Sequence, residues 1–330
     1  MSMKEAKRAR LRGLSTPGGI IAALAMDQRR SLRAMLAQAA GTDPGSVKDS
    51  TLVEFKTAVS KVLTPHVSAV LLDPEYGQAA MRVKAPGCGL LVTYEADGWE
   101  NPRPHRMLAL MPHYSVQRIA ELGGQAIKVL LSWAPDGDPA AHDEKQARVE
   151  RIGAECEANG IPFLLEPVVY DPAGFDANSP QWAARKPALV VRTMEEFSKP
   201  RYRVDVLKVE FPVSARFVEG TRVADAGLRA WSHAEAAAWF QAADSVTAVP
   251  YIYLSAGVTT AEFEASLELA GHAGARYSGV LCGRATWQGG LAPFVKAGVE
   301  ALTEWLGNEG VRNVKSIGRC LEGAVGWDSR

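Results

Sequence analysis

The sequence predicts an α/β protein, a (β/α)8 TIM barrel in a single domain with an extra C-terminal helix. Three observations carry that expectation. Eight short apolar runs recur along the 330 residues, amphipathic helical patterns lie between them, and each run meets a polar or charged residue. Continuous apolar runs of this length fit strands buried on both faces, as in parallel sheets. Their alternation with helices over more than about 250 residues fits one barrel. A doubly wound sheet is the alternative topology, but no Gly-x-Gly-x-x-Gly follows the first run to support it.

Taken in order, residues 20–26 run into Asp27, 69–72 into Asp73, and 89–93 lead to Glu95. Residues 126–131 surround Lys128, 161–165 stop at Glu166, and 204–209 surround Lys208. The last two runs, 251–254 and 279–282, precede Ser255 and Arg284. Between them Thr51-x-x-Glu54 reads as a capping box, opening a helix with Leu52, Phe55, Val59 and Val62 on one face. Ser232-x-x-Glu235 and Thr259-x-x-Glu262 repeat the device. Val149, Ile152 and Cys156 mark another helix, stopped by Asn159-Gly160. Leu291, Phe294, Val295, Val299 and Leu302 mark the last barrel helix. The domain is expected to span residues 1–330. Residues 1–18 form an N-terminal extension, 170–203 a polar loop with a short helix around 188–197, and 306–330 a tail whose helix covers a barrel end.

Composition removes several classes of function. With 37 Lys+Arg against 37 Asp+Glu the formal net charge is zero, so nothing draws the whole molecule to nucleic acid or to an anionic membrane. An anionic ligand therefore needs a local cluster of cations. Cys88, Cys156, Cys282 and Cys320 form no C-x-x-C pair, which argues against a zinc ribbon and a disulfide framework and suits a reducing cytoplasm. The basic N-terminus leads into no apolar signal core, and no apolar run is long enough to span a bilayer. The expectation is a soluble cytoplasmic enzyme without nucleic-acid or membrane partners, and, from the symmetry most oligomers adopt, a homodimer.

Active sites of such barrels lie at the C-terminal ends of the strands. Lysine is rarely buried without a partner, yet Lys128 and Lys208 are embedded in apolar strands four and six, with Glu166 on strand five between them. A structural salt bridge, Lys208 with Glu210 or Lys128 with Glu166, is the plain alternative. The chemical reading is covalent: a second ammonium about 6 Å away, at an effective dielectric of about 20, opposes protonation by about 2.8 kcal/mol. Burial acts in the same direction, so one of the two amines is expected to reach the free form near neutrality and attack a ketone. Glu166 would carry the protons. Leu254-Ser-Ala-Gly257 and Cys282-Gly283-Arg284 follow strands seven and eight, where glycine-exposed N–H groups and an arginine suit phosphate. Arg29, Arg30 and Arg33 add a basic cluster, either a solvated helix face or a second phosphate contact. The six histidines show no ligand spacing, so no catalytic metal and no cofactor are expected. Cys282, Trp133, Trp182 and Trp287 read as packing residues.

Longer motifs extend this reading. Ala25-Met-Asp-Gln-Arg29, Leu71-Leu-Asp-Pro-Glu-Tyr-Gly77, Val204-Asp-Val-Leu-Lys-Val-Glu210, Pro250-Tyr-Ile-Tyr-Leu-Ser-Ala-Gly-Val258 and Gly279-Val-Leu-Cys-Gly-Arg-Ala-Thr-Trp287 resemble the tagatose 1,6-bisphosphate aldolase family over nearly the whole chain. The resemblance implies a class I, metal-independent aldolase that splits D-tagatose 1,6-bisphosphate into dihydroxyacetone phosphate and D-glyceraldehyde 3-phosphate. It implies Lys208 as the Schiff-base lysine, Lys128 as a second lysine and Glu166 as acid/base. Asp27, Gln28, Ser255, Gly257 and Arg284 match the family's substrate and phosphate contacts, and Arg29 and Gly283 lie beside them. The chain departs from the family at Arg30 and at Gln78-Ala79. Pro167-Val168-Val169 after Glu166 is more similar to sulfofructose 1-phosphate aldolases, the nearest alternative. A sugar-phosphate-binding regulator is the alternative from another class.

Overall fold

A computed structural model describes residues 2–97, 104–176, 178–225 and 227–330. Of the sequence expectations, only Ala177 in the 170–203 loop and Met1 of the basic N-terminal stretch fall outside them. Eight parallel strands close into a barrel in chain order: β1 Ile21–Met26, β2 Ala69–Leu72, β3 Gly89–Thr93, β4 Ala126–Trp133, β5 Phe163–Val169, β6 Val206–Val209, β7 Tyr251–Leu254 and β8 Gly279–Cys282. Ladder pairing of β1 with β8 seals the sheet, and helices alternate with the strands outside. The predicted (β/α)8 fold is therefore the observed one.

Strand boundaries moved at one place that matters. Glu166 does not end β5; it lies inside it, opposite Leu130 of β4, and the two strands pair over residues 127–133 and 163–169. A carboxylate within a buried strand looks like a terminator when read alone. Here two lysines satisfy it, so the strand continues to Val169. β5 meets β6 only at Leu164 and Leu165, so the missing N–H of Pro167 falls beyond that ladder.

Alternation along the strands sorts residues into two cores. Outward-facing Val70, Val92, Ile127, Val129, Leu165 and Leu207 pack beneath the helices. Inward-facing Ala23, Ala69, Ala126, Leu164, Val206 and Ile252 fill the barrel with mostly small or branched side chains. The same inward register carries Lys128, Glu166 and Lys208 toward the C-terminal mouth.

Of the three expected capping boxes one forms fully, one forms by half and one does not form. Ser232 and Glu235 form the reciprocal capping box, and Thr259 caps the helix Thr260–His272. Asn159 ends the helix Pro139–Ala158. The Thr51–Glu54 box does not form, because the helix Asp49–Leu63 takes its N-cap three residues earlier, at Lys48. The helix expected around 188–197 begins at Pro180 and runs through Pro187 to Phe197.

Both chain ends shape the barrel's N-terminal end. The helix Met3–Gly13 is capped by Ser2 and Glu5. Leu11 and Leu14 follow its inner face into the barrel's own core, where Trp327 joins them. The Trp327 indole donates to Ser15 Oγ at 3.2 Å. The tail helix Val311–Arg319 does not cover that end: its apolar stripe, Val314 and Ile317, docks on the flank against helices Asp49–Leu63 and Thr260–His272. Among the described residues no helix is long and apolar enough to cross a membrane.

Candidate active site

At the opposite end the strands deliver charge. Lys128 Nζ lies 2.9 Å from Asp27 Oδ2, 2.8 Å from Glu95 Oε1 and 2.7 Å from Glu166 Oε2. The other oxygen of Glu166 lies 2.7 Å from Lys208 Nζ. One carboxylate thus bridges two lysines, and all five groups are nearly buried, with side-chain exposures of 2–12%. Burial opposes ionisation of Asp27, but the ammonium groups of Lys128 and Lys208 outweigh it and hold the carboxyl well below its usual range. Burial likewise opposes the charge on Lys128, and Asp27, Glu166 and Glu95 overcome it, so its pKa rises well above normal. Lys128 is a permanent cation here.

This arrangement changes the electrostatic argument made from sequence. In the structure Glu166 stands between the two amines and three carboxylates surround Lys128, so the direct like-charge repulsion is screened. Lys208 instead faces the Glu166 carboxylate at 2.7 Å. The expected alternative pairing of Lys208 with Glu210 does not occur: Glu210 Oε1 pairs with Lys186 at 3.1 Å, and Oε2 accepts from the Val169 N–H.

A cavity of about 460 Å³ opens above Lys208 and Glu166, walled by Gln28, Ser255, Gly283 and Arg284 on one side and by Tyr170, Phe175 and Trp182 on the other. A second lobe of about 280 Å³ shares Gln28, Glu166, Lys208 and Arg284 and reaches Asp27, Arg29, Glu95 and Lys128. Arg284 is half-buried and, among the described residues, has no carboxylate or hydrogen-bond partner. Its guanidinium lies against the backbone of Gly257, where φ is +82° and an added Cβ would sit 2.5 Å from Arg284 Cζ. Ala256 also has positive φ. The turn after β7 is thus folded left-handed directly beneath a free cation, and only glycine leaves the guanidinium its place. Gly283 N–H points toward Ser255 Oγ at 3.5 Å, and Gln28 Oε1 is buried without a partner.

The candidates do not all behave alike. Lys128, Glu166, Lys208, Asp27, Gln28, Ser255, Gly283 and Arg284 meet around one cleft, with Gly257 supporting Arg284. Arg29 borders the second lobe, but its guanidinium is held by Glu75 Oε2 and the Glu95 carbonyl, both at 2.9 Å. The Arg29–Arg30–Arg33 cluster is dispersed: the Arg30 N–H donates to Asp97, and Arg33 pairs with Asp49. Cys282 is buried in β8, where burial pushes its thiol up to about 12. Trp287 is fully buried and donates to the Ala25 carbonyl at 3.0 Å. Among the described residues no group of three or more His, Cys, Asp or Glu is arranged to hold a metal ion.

Sequence reasoning placed Glu95 at a strand end without a role, and it missed Lys56 altogether. Lys56 is fully buried, donates to the Met26 carbonyl at 2.8 Å and pairs with Asp73. Asp73 Oδ1 accepts from the N–H groups of Glu75 at 3.0 Å and Tyr76 at 2.7 Å. Gly77 closes that turn because a Cβ there would strike the Asp73 carbonyl. At the rim a further buried lysine, Lys145, donates to the Ser132 carbonyl at 2.7 Å. Burial, aided by Arg106, pushes its amine down to about 8.

An amine held against a carboxylate at the C-terminal mouth of a parallel barrel, below an unpaired arginine, defines the class as a barrel enzyme of carbonyl chemistry. Comparison with known proteins gives the family. The family described as DeoC/LacD family aldolase matches residues 21–289. A tagatose 1,6-diphosphate aldolase of Listeria monocytogenes serotype 4b (strain CLIP80459) is 46% identical over 96% of this chain and 92% of its own. Tagatose 1,6-diphosphate aldolase 2 of Enterococcus faecalis is 43% identical over 100% of this chain and 98% of its own. The tagatose 1,6-diphosphate aldolase of Lactococcus lactis is 42% identical over 97% of each chain. The chain belongs to the DeoC/LacD aldolase family, as its motifs indicated, and is an aldolase, an enzyme of the aldehyde-lyase class.

Proposed function

We propose that the chain is a class I aldolase that reversibly cleaves D-tagatose 1,6-bisphosphate to dihydroxyacetone phosphate and D-glyceraldehyde 3-phosphate. The observation that carries the mechanism is Lys208 Nζ at 2.7 Å from Glu166 in the floor of the 460 Å³ cavity. The substrate follows from the relatives' names and from the free Arg284 over the Gly257 turn, a site suited to the phosphate at C1.

Glu166 takes a proton from Lys208, and the free amine adds to the C2 ketone. The protonated Glu166 then supplies the proton with which the carbinolamine loses water, leaving an iminium. The C4 hydroxyl gives its proton to the same carboxylate as the C3–C4 bond breaks. Its electron pair passes into the iminium and forms an enamine. Glyceraldehyde 3-phosphate leaves, C3 is protonated, and hydrolysis frees dihydroxyacetone phosphate and Lys208. Lys128 keeps its charge throughout and orients Glu166. Asp27 and Gln28 are placed to bind substrate hydroxyls. The iminium is the electron sink, so the proposed reaction calls for no metal or cofactor.

Borohydride reduction in the presence of dihydroxyacetone phosphate, followed by peptide mass mapping, tests the reading. An adduct on the Lys208 peptide, unchanged by EDTA, is the expected result. No adduct on the folded protein overturns it.

A further inference from the structure

The proposed reaction uses Lys208, Glu166 and Lys128, but not the fully buried lysine of helix Asp49–Leu63. Lys56 belongs to a closed ring of contacts. Its amine pairs with Asp73, whose Oδ1 fixes the backbone of Glu75. The Glu75 side chain accepts from Arg29 at 2.9 Å, and Arg29 also donates to the Glu95 carbonyl at 2.9 Å. Glu95 accepts from Lys128 at 2.8 Å, and Lys128 donates to Asp27 at 2.9 Å. Asp27 follows Met26, whose carbonyl accepts from Lys56 at 2.8 Å and closes the ring.

Two arms thus leave Lys56 and converge on Lys128. One fixes the end of β1, and with it the backbone that presents Asp27. The other runs through the turn after β2 and fixes Glu95. Lys128 in turn sets the position of Glu166, whose other oxygen touches Lys208. With Glu166 and Lys208 included, the ring and its extension hold four cations and five carboxylates. A shift at any member therefore unbalances its neighbours, all of them nearly buried except Glu75.

We infer that Lys56 is a positioning residue for catalysis, holding Asp27 and Glu95 on Lys128 so that Glu166 stays aligned on the Schiff-base lysine. The inference rests on the cleavage reaction proposed above. It assigns Lys56 no contact with substrate; its effect passes through the end of β1 and through the Asp73 turn.

The test removes the buried charges together, since Lys56→Met alone strands Asp73. Lys56→Met/Asp73→Asn is compared with Lys56→Gln/Asp73→Asn, which restores a donor to the Met26 carbonyl. With folding verified by circular dichroism, the Met/Asn variant is expected to lose about 10- to 100-fold in kcat, with KM within about threefold. Its acid limb of activity is expected to move to higher pH, and the Gln/Asn variant to recover most of the rate. Trapping of dihydroxyacetone phosphate on Lys208 slows in the same order. Glu75→Ala opens the second arm at a side chain that is 46% exposed, and is expected to lower kcat about three- to tenfold in a folded protein; it decides the matter if the double variant does not fold. Wild-type kcat and pH profile in these folded variants overturn the positioning role alone. A wild-type protein that neither cleaves nor traps overturns the cleavage reading and this inference with it.

Discussion

The two ends of the barrel are built on one inward-facing register and do opposite things with it. At the N-terminal end the register presents aliphatic residues, and Leu11, Leu14 and Trp327 close over them. At the C-terminal mouth the same alternation presents Asp27, Lys128, Glu166 and Lys208, which satisfy one another across four strands. The closed end gains stability from burial that needs no partner. The open end tolerates buried charge only because each charge is paired. Substitutions at the mouth should therefore alter chemistry out of proportion to their size, and substitutions at the closed end should alter stability alone.

The largest expected effect breaks the mouth. Lys208→Met removes the proposed nucleophile and should lower kcat by about 10⁴-fold or more in a folded protein, read by coupled assay and circular dichroism. Glu166→Gln should cost about 10²- to 10⁴-fold, with proton transfer rather than binding lost. Lys128→Met leaves three carboxylates without their common partner and should destabilise the fold by about 3–5 kcal/mol, measured by urea unfolding. Leu14→Ala sharpens the contrast from the other side. It should cost about 2–5 kcal/mol through the cavity it opens, with kcat unchanged at temperatures where the protein is folded.

The smallest effect is a matter of pH. Asp27 has a lowered carboxyl, so its contribution to stability is complete above the ordinary value near 3.9 and is lost as pH falls through its folded-state value. Lys128 is raised, so its contribution is complete below about 10.4 and is lost only as pH rises through its folded-state value. Lys145 runs the other way. Its amine is pushed down to about 8, so the unfolded chain binds more protons between about 8 and 10.4 and stability should rise with pH across that window. Lys145→Met should flatten that rise in thermal melts.

Much of this is legible in the sequence. The eight runs give eight strands because a strand buried on both faces needs an unbroken apolar stretch. Lys128 and Lys208 stood out because a lysine in such a stretch demands a partner. What escaped was spatial. The carboxylates on Lys128 come from just past β1, just past β3 and inside β5, and sequence distance says nothing about which of them face inward together. Lys56 carried a signal that was passed over: it falls four residues after Leu52 and three before Val59, on the apolar stripe of its helix, where a charged residue is out of place. Arg29 shows the converse, since its partners are as invisible in the sequence. A cation after a strand suggests a ligand, but Glu75 and Glu95 already hold it.

Closure of the barrel also sets a timetable for synthesis. β1 is complete by Met26, yet one of its two ladder partners, β8, begins only at Gly279. At about 5–20 residues per second, that edge waits roughly 10–50 s on the ribosome with its hydrogen-bonding groups unpaired. Ser15, just after the helix Met3–Gly13, likewise emerges 312 residues before its partner Trp327. The nascent chain thus carries an open sheet edge throughout the interval between β1 and β8, and this is when a chaperone or a neighbouring chain has most opportunity to bind it.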